Sequence, residues 1–179
     1  MWQKLNKCYP PTLELIPILL LILAIYIAFS NYSTLPDRIP IDFNSQGIAE
    51  DWANKNMIFL YPGLCVFIYL LFTALNIWFA VTKNPKSLIN MPKKWKDSLS
   101  DSQTEELRVV LNRYLFVLKV LIQGMMLYLL YVSIEIALER TNNIDGTVFP
   151  LITLAILVVV SLMVWKLVRI AGKPKLNVT

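Results

Sequence analysis

The sequence predicts an all-α, polytopic membrane protein: four transmembrane helices, with a structured extracytoplasmic loop between the first and second. Three observations predict it. Of 179 residues, 56% are hydrophobic and 16% are charged, and mean hydropathy is +0.56. The apolar residues gather into four runs, each close to the 20 or so that a helix needs to cross a bilayer. Lysine and arginine collect in alternate connecting segments, as they do when every second loop faces the cytoplasm. A water-soluble chain of this composition would expose more apolar surface than water tolerates.

The chain reads as a single membrane domain over residues 1–179. The first span is expected at 13–30, where a helix satisfies its own backbone polar groups, as lipid demands. Lys4 and Lys7 precede it, and Ala28-Phe29-Ser30 resembles a leader-cleavage site. Its apolar stretch nevertheless exceeds the roughly 7–15 residues of a signal core, so an anchor is expected. An outward loop follows at 31–56, then a second span at 57–81 and a basic cytoplasmic loop at 82–108. The third span, 109–138, continues a helix that starts in the cytoplasm, where Ser102 and Glu105 have capping-box spacing. Gly124 within it is read as a point of close helix packing. A short outward loop at 139–147, a fourth span at 148–170 and a cytoplasmic tail at 171–179 complete the chain. Pro17, Pro62 and Pro150 each fall in an early helical turn, where a missing N–H costs little.

Orientation follows from the cations. Lys4 and Lys7, then Lys83, Lys86, Lys93, Lys94, Lys96, Arg108 and Arg113, then Lys166, Arg169, Lys173 and Lys175 share one side. Arg38, Lys55 and Arg140 lie on the other. The larger set is placed inside, which puts both termini in the cytoplasm and the protein in the cell membrane. The net charge of +5 is thus a signature of topology. Without aromatic interleaving or a binding motif, the basic loop is not read as a nucleic-acid surface. Trp2, Trp52, Trp95 and Trp165 are expected near the interfaces, where an indole keeps its body in lipid and its N–H in water.

The outward loop differs in composition from its surroundings. In Leu35-Pro36-Asp37-Arg38-Ile39-Pro40-Ile41-Asp42-Phe43 the prolines favour extended backbone, and Ile39, Ile41 and Phe43 alternate with polar residues or proline. Asn44-Ser45-Gln46-Gly47 reads as a turn, and Glu50, Asp51, Trp52 and Lys55 as a helical re-entry. The pattern Leu-Pro-Asp-Arg-Ile-Pro at 35–40, followed by Phe43, Gly47, Glu50, Trp52 and Lys55, resembles a bacterial membrane-protein family. That family is domain of unknown function 1648, found in SdpI-like immunity proteins and in stand-alone four-helix proteins. The stretch from Asn84-Pro85 to Tyr114, with Leu118, Lys119 and Gln123, is similar to the stand-alone members. The resemblance implies a cell-membrane location and an outward loop of conserved type, and no established reaction. Asp42 stands where the family usually has histidine, so a role that needs imidazole does not carry over.

Candidate ligand- or partner-binding residues are Asp37, Arg38, Asp42, Phe43, Glu50 and Trp52; with Asp51 the carboxylates offer an acidic surface for a cation or a basic peptide. An ion pair of Arg38 with Asp37 or Glu50 explains the same residues structurally. Lys119 lies inside the third span, one turn before Gln123, where an unpartnered ammonium costs about 2.5–3.5 kcal/mol. Glu14 lies at a compatible depth, so Glu14, Lys119 and Gln123 form a candidate intramembrane polar group, in which Lys119 either meets Glu14 or reaches the cytoplasmic interface alone.

The chain has no histidine and two cysteines, Cys8 and Cys65, expected at different depths and not bonded. No catalytic residue, metal site or cofactor is expected: the sequence holds no phosphate loop, nucleophile elbow or metalloprotease helix. The expected function is binding, sensing or immunity, with the outward loop and the helices recognising a peptide, lipid or membrane partner. The alternative is a small accessory subunit of a larger membrane complex. A transporter ranks below both, for want of a broken helix pair.

Overall fold

The structure, a computed structural model, describes residues 6–44, 46–82, 93–144 and 146–172. Outside the described residues lie Trp2, Lys4, Ser45 of the expected turn, Lys83, Lys86, Lys173 and Lys175, together with the side chains of Lys94 and Trp95.

A 3₁₀ turn, Pro11–Glu14, leads into helix α1, Leu15–Asn31. Strands β1, Arg38–Phe43, and β2, Ala49–Asn54, pair antiparallel, and a 3₁₀ turn at Lys55–Phe59 leads into α2, Leu60–Val81. A short helix α3, Lys93–Ser98, precedes the long α4, Asp101–Ala137, and α5 spans Val148–Ala171. Among the described residues four segments are long and apolar enough to cross a membrane: Pro11–Asn31, Lys55–Val81, Asp101–Ala137 and Val148–Ala171. Pro17, Pro62 and Pro150 are each the third residue of their helix, among the N–H positions that have no intrahelical partner in any case.

Two sequence expectations for α4 are corrected. Its cap is Ser100 with Gln103: Ser100 Oγ accepts the Gln103 N–H at 3.2 Å and Gln103 Oε1 accepts the Ser100 N–H at 2.9 Å. The box thus sits two residues before Ser102 and Glu105, because Gln103 reaches back to the first serine. Gly124 marks no close approach, since an added Cβ would meet nothing within 4 Å. At its other end α4 closes in a Schellman motif, Arg140 N–H to Glu135 O at 2.9 Å and Glu139 N–H to Ile136 O at 3.0 Å. Glu139 takes the left-handed position there, with φ 56°.

The chain divides into two compact units. One comprises Met1–Leu13, Phe72–Leu118 and Leu157–Thr179. Inside it Leu99, Leu107, Ile170 and Ala171 form an apolar cluster. Polar side chains of α4 reach the ends of other segments here. Gln103 Nε2 donates to Ile170 O at 3.0 Å, Arg113 Nε to Cys8 O at 2.8 Å, and Arg108 to the carbonyls of Ala80 and Thr82. Each of these acceptors is at or near a terminus where helical carbonyls lack partners. Asn76 donates to Asn112 Oδ1 at 3.1 Å, both side chains being fully buried.

The other unit comprises Glu14–Leu71 and Lys119–Ile156. Its core joins Ala24 and Ala28 of α1, Leu35, Ile39 of β1, Ile58, Tyr61 and Cys65 of α2, and Leu130, Ile134 and Ala137 of α4. Small residues on α1 leave room for the hairpin side chains. The Tyr61 hydroxyl, inside this core, hydrogen-bonds Ser133 at 2.8 Å, which satisfies two groups that would be costly alone.

Candidate functional site

The hairpin is built by the residues that make the loop distinctive. Expected as a helical re-entry, residues 49–54 instead form β2, and helix-type turns begin only at Lys55. The reason is the edge that β1 offers, combined with a turn that folds the chain back on it. Asn44 Oδ1 accepts the N–H groups of Gln46 and Ile48 at 2.9 and 3.0 Å, and Gly47 adopts φ +77°. The tip is fastened: Ile144 N–H donates to Gly47 O at 2.8 Å, and Ile144 is buried beside Phe43, Val132 and Ile136. A Cβ at position 47 would stand 2.8 Å from Ile144 O.

The charged residues take partners that the expected ion pairs did not include. Asp37 approaches Lys55 at 3.8 Å, and the Lys55 N–H donates to Asp37 O at 2.9 Å. Arg38 forms no ion pair with Asp37 or Glu50. Its guanidinium donates to the Trp52 carbonyl at 2.7 Å. The strand register explains this, because Pro40 lies opposite Trp52 and has no N–H to offer. Lys55 also lies 5.4 Å from the centroid of the Tyr32 ring, whose hydroxyl donates to Asn56.

Asp42 and Asp51 face each other across the strands at an irregularity in the register. Like charges so placed are unfavourable, and each carboxylate turns to the next backbone N–H, Phe43 at 2.9 Å and Trp52 at 2.8 Å. Trp52 therefore has its N–H and its carbonyl both satisfied by side chains, which blunts a strand edge that would otherwise invite pairing. Phe43 is half-buried against Ile144, whereas Asp42, Glu50, Asp51, Trp52 and Ile48 are exposed. Among the described residues no group of three or more His, Cys, Asp or Glu is placed to hold a metal ion.

The intramembrane group lies in the same unit. Lys119 Nζ is 2.7 Å from both Glu14 carboxylate oxygens, and its side chain is fully buried while that of Glu14 is 18% exposed. The anticipated contact is thus formed, with the ammonium also 5.3 Å from the centroid of the Tyr69 ring. One turn on, Gln123 Nε2 donates to Cys65 O at 3.2 Å, and its buried Oε1 accepts from no donor among the described residues. The chemistry is that of an ion pair beside an aromatic ring.

Residues 18–66 of the chain match the family model of a domain of unknown function, DUF1648. The matched segment covers most of α1, the whole hairpin and the first part of α2. Neither a curated protein nor a solved structure matches the chain. Six candidate residues, Asp37, Arg38, Asp42, Phe43, Glu50 and Trp52, therefore lie inside DUF1648, while Glu14, Lys119 and Gln123 lie outside it. The turn expected from Asn44 to Gly47 is formed, with the Gly47 N–H donating to Asn44 O at 2.9 Å; sequence reading missed the acceptor role of the Asn44 side chain and the part played by Asp51 in the hairpin. The available signal was turn chemistry, since an asparagine three residues before a glycine supplies both a side-chain acceptor and the left-handed position. The docking of Ile144 on Gly47 left no local signal.

Proposed function

We propose that this is a multi-pass cell-membrane protein, with both termini in the cytoplasm, that recognises a partner through its outward hairpin. The partner is a peptide, a lipid or another membrane protein. The carrying observation is the division of labour within the hairpin. Asp37, Arg38, Ile39, Pro40 and Gly47 are engaged in building it, while Ile48 and Trp52 remain 47% and 37% exposed beside Asp42, Glu50 and Asp51. Apolar side chains among carboxylates, on a scaffold with its main-chain groups satisfied, suit a partner that is both apolar and basic. Aromatic side chains with such surroundings are the usual anchors of recognition surfaces. The cation distribution supports the orientation.

The test exchanges exposed residues only. A photo-crosslinking amino acid at position 48, in intact cells, is expected to trap a discrete adduct that is lost on Trp52→Ala with Glu50→Gln. If the double variant traps the same adduct with undiminished yield, the hairpin reading fails. An impermeant reagent that labels a tag at either terminus on intact cells overturns the orientation.

A second reading, an accessory subunit of a larger membrane complex, is favoured by α5. Within its most apolar stretch no residue is buried in the chain's own fold. Gentle extraction and native mass spectrometry decide it: a chain that leaves the membrane without a stoichiometric partner rules this reading out.

A further inference from the structure

The C-terminal turns of α5 carry two cations that the fold does not neutralise. Lys166 and Arg169 are one turn apart, both exposed, and α5 contains no Asp or Glu. Of the other described cations, Lys55, Arg108, Lys119 and Arg140 each meet a carboxylate within 4 Å, while Arg38 and Arg113 donate to backbone carbonyls. Lys166 and Arg169 have no such partner among the described residues. They lie instead on rings: Lys166 Nζ is 5.6 Å from the Tyr114 centroid and Arg169 Cζ is 5.3 Å from that of Trp165. An aromatic face holds a cation in place without cancelling its charge.

We infer that Lys166 and Arg169, with the exposed apolar face of α5 before them, bind an anionic phospholipid by its phosphodiester headgroup. Leu157, Val158, Leu162, Val164 and Val168 are exposed along the helix and offer the acyl chains an apolar surface. The cations come in the last turns, at the depth where a span meets the headgroups. Arginine presents two N–H donors to a pair of phosphate oxygens, and lysine adds a point charge beside it. Trp165, 53% exposed, has the amphipathic ring that favours the glycerol level. A helix C-terminus ordinarily repels an anion through its bare carbonyls. Here the Ile170 carbonyl accepts from Gln103 Nε2 and the Val168 carbonyl from the Gly172 N–H, which lessens that repulsion. The partner is a lipid and not free phosphate because the cations end an apolar surface that a bare anion would not use.

The experiment is native mass spectrometry of the full-length chain in a non-ionic detergent, titrated with phosphatidylglycerol and, separately, phosphatidylcholine. The wild-type protein is expected to retain phosphatidylglycerol in preference. Each of Lys166→Gln and Arg169→Gln lowers that preference about fivefold, and the double variant about 25-fold, in line with the usual weight of one basic residue at an anionic surface. Arg140→Gln, a cation outside the site, leaves it unchanged. Lys166→Arg with Arg169→Lys keeps the charge and restores most of the preference, which separates lost binding from lost folding. Equal retention of the two lipids by the wild type, or an undiminished preference in a folded double variant, overturns the inference. Displacement of the lipid by millimolar inorganic phosphate assigns the site to the free anion and overturns the lipid assignment.

Discussion

Neutralising one side of the Glu14–Lys119 pair is expected to destabilise the protein, and unequally for the two sides. Lys119 is wholly enclosed, with Nζ 2.7 Å from both carboxylate oxygens, whereas Glu14 retains 18% exposure. Removing one partner of a buried pair costs about 3–5 kcal/mol, because the other charge is left without compensation. Glu14→Gln strands the fully buried ammonium and belongs at the upper part of that range, less whatever the Tyr69 ring recovers. A cation over a ring is worth about 1–2 kcal/mol at a desolvated site. Lys119→Met leaves a carboxylate that still has some access to solvent, and belongs at the lower end. At about 2–4 °C per kcal/mol for a chain of this size, the upper part of the range, about 4–5 kcal/mol, lowers the melting temperature by roughly 8–20 °C before the ring's contribution is deducted.

The double variant Glu14→Gln with Lys119→Met is the decisive sample. Replacing both members of a buried ion pair is often neutral or better, so it should melt well above Glu14→Gln alone. The reversed pair, Glu14→Lys with Lys119→Glu, should likewise recover part of the loss. Melting curves of the purified protein in one detergent, followed by size-exclusion fluorescence, read all four. Strict additivity of the single losses, or a Lys119→Met loss larger than that of Glu14→Gln, refutes the reasoning from burial.

Gly47→Ala should destabilise the hairpin by about 1–3 kcal/mol, since a Cβ is disfavoured at φ +77° and would lie 2.8 Å from Ile144 O; faster hydrogen exchange at the Ile144 amide reports it. Arg108→Met removes the guanidinium donor from the Ala80 and Thr82 carbonyls, at a cost of about 1.5–3 kcal/mol. Exchange at the end of α2 should rise while the Tyr61–Ser133 region is unchanged. Burial, opposed by the nearby Arg108 charge, pushes the Cys8 thiol above its ordinary value, so at pH 8 less of it is thiolate than in an unfolded chain. In a Cys65→Ser background, iodoacetamide should modify Cys8 slowly at pH 8 and rapidly in denaturant, and the small stabilisation from the buried neutral thiol should fade as pH rises past about 8.5. Equal alkylation rates in the folded and denatured protein would count against a buried Cys8.

The four apolar runs were legible because a span must be long and greasy whatever packs beside it. The ends of those helices were less so. That the third helix begins ahead of its apolar run was legible from the capping-box spacing: α4 starts at Asp101, and its 37 residues extend about 55 Å where a bilayer core needs about 30. Choosing between Ser100 and Ser102 as the cap needed the reach of Gln103, which spacing alone leaves open. The second strand was hidden for a different reason. Ala-Glu-Asp-Trp-Ala-Asn is poor in β-branched residues and has no clear apolar alternation, so its conformation comes from pairing with β1 and not from its own preference. The Glu14–Lys119 contact was legible because the cost of a buried ammonium calls for a counter-charge, and Glu14 was the carboxylate at a compatible depth. The role of Ile144 was not, since it depends on two segments nearly a hundred residues apart that meet only in the folded chain.

These placements change what the DUF1648 match implies. A motif gathered in one loop invites the idea that its residues share a ligand, yet here most of them share a fold. Leu35 and Ile39 fill the core, Arg38 supplies the donor that Pro40 lacks, Asp37 and Lys55 close the base, and Gly47 admits Ile144 at the tip. Substituting any of these would disturb recognition by unfolding the platform, whether or not the residue ever touches a partner. Loss of function at Asp37 or Arg38 is therefore weak evidence for contact. Specificity is better sought at positions the hairpin does not need for itself, of which Ile48, Glu50 and the Trp52 ring are the clearest. Asp42 is a mixed case: one oxygen holds the Phe43 N–H while the carboxylate stays exposed opposite Asp51. A chain that bears a different residue at 42 would keep the hairpin and alter the charge it presents. Chains that share this hairpin can on this physical ground share a scaffold and differ in the surface they present.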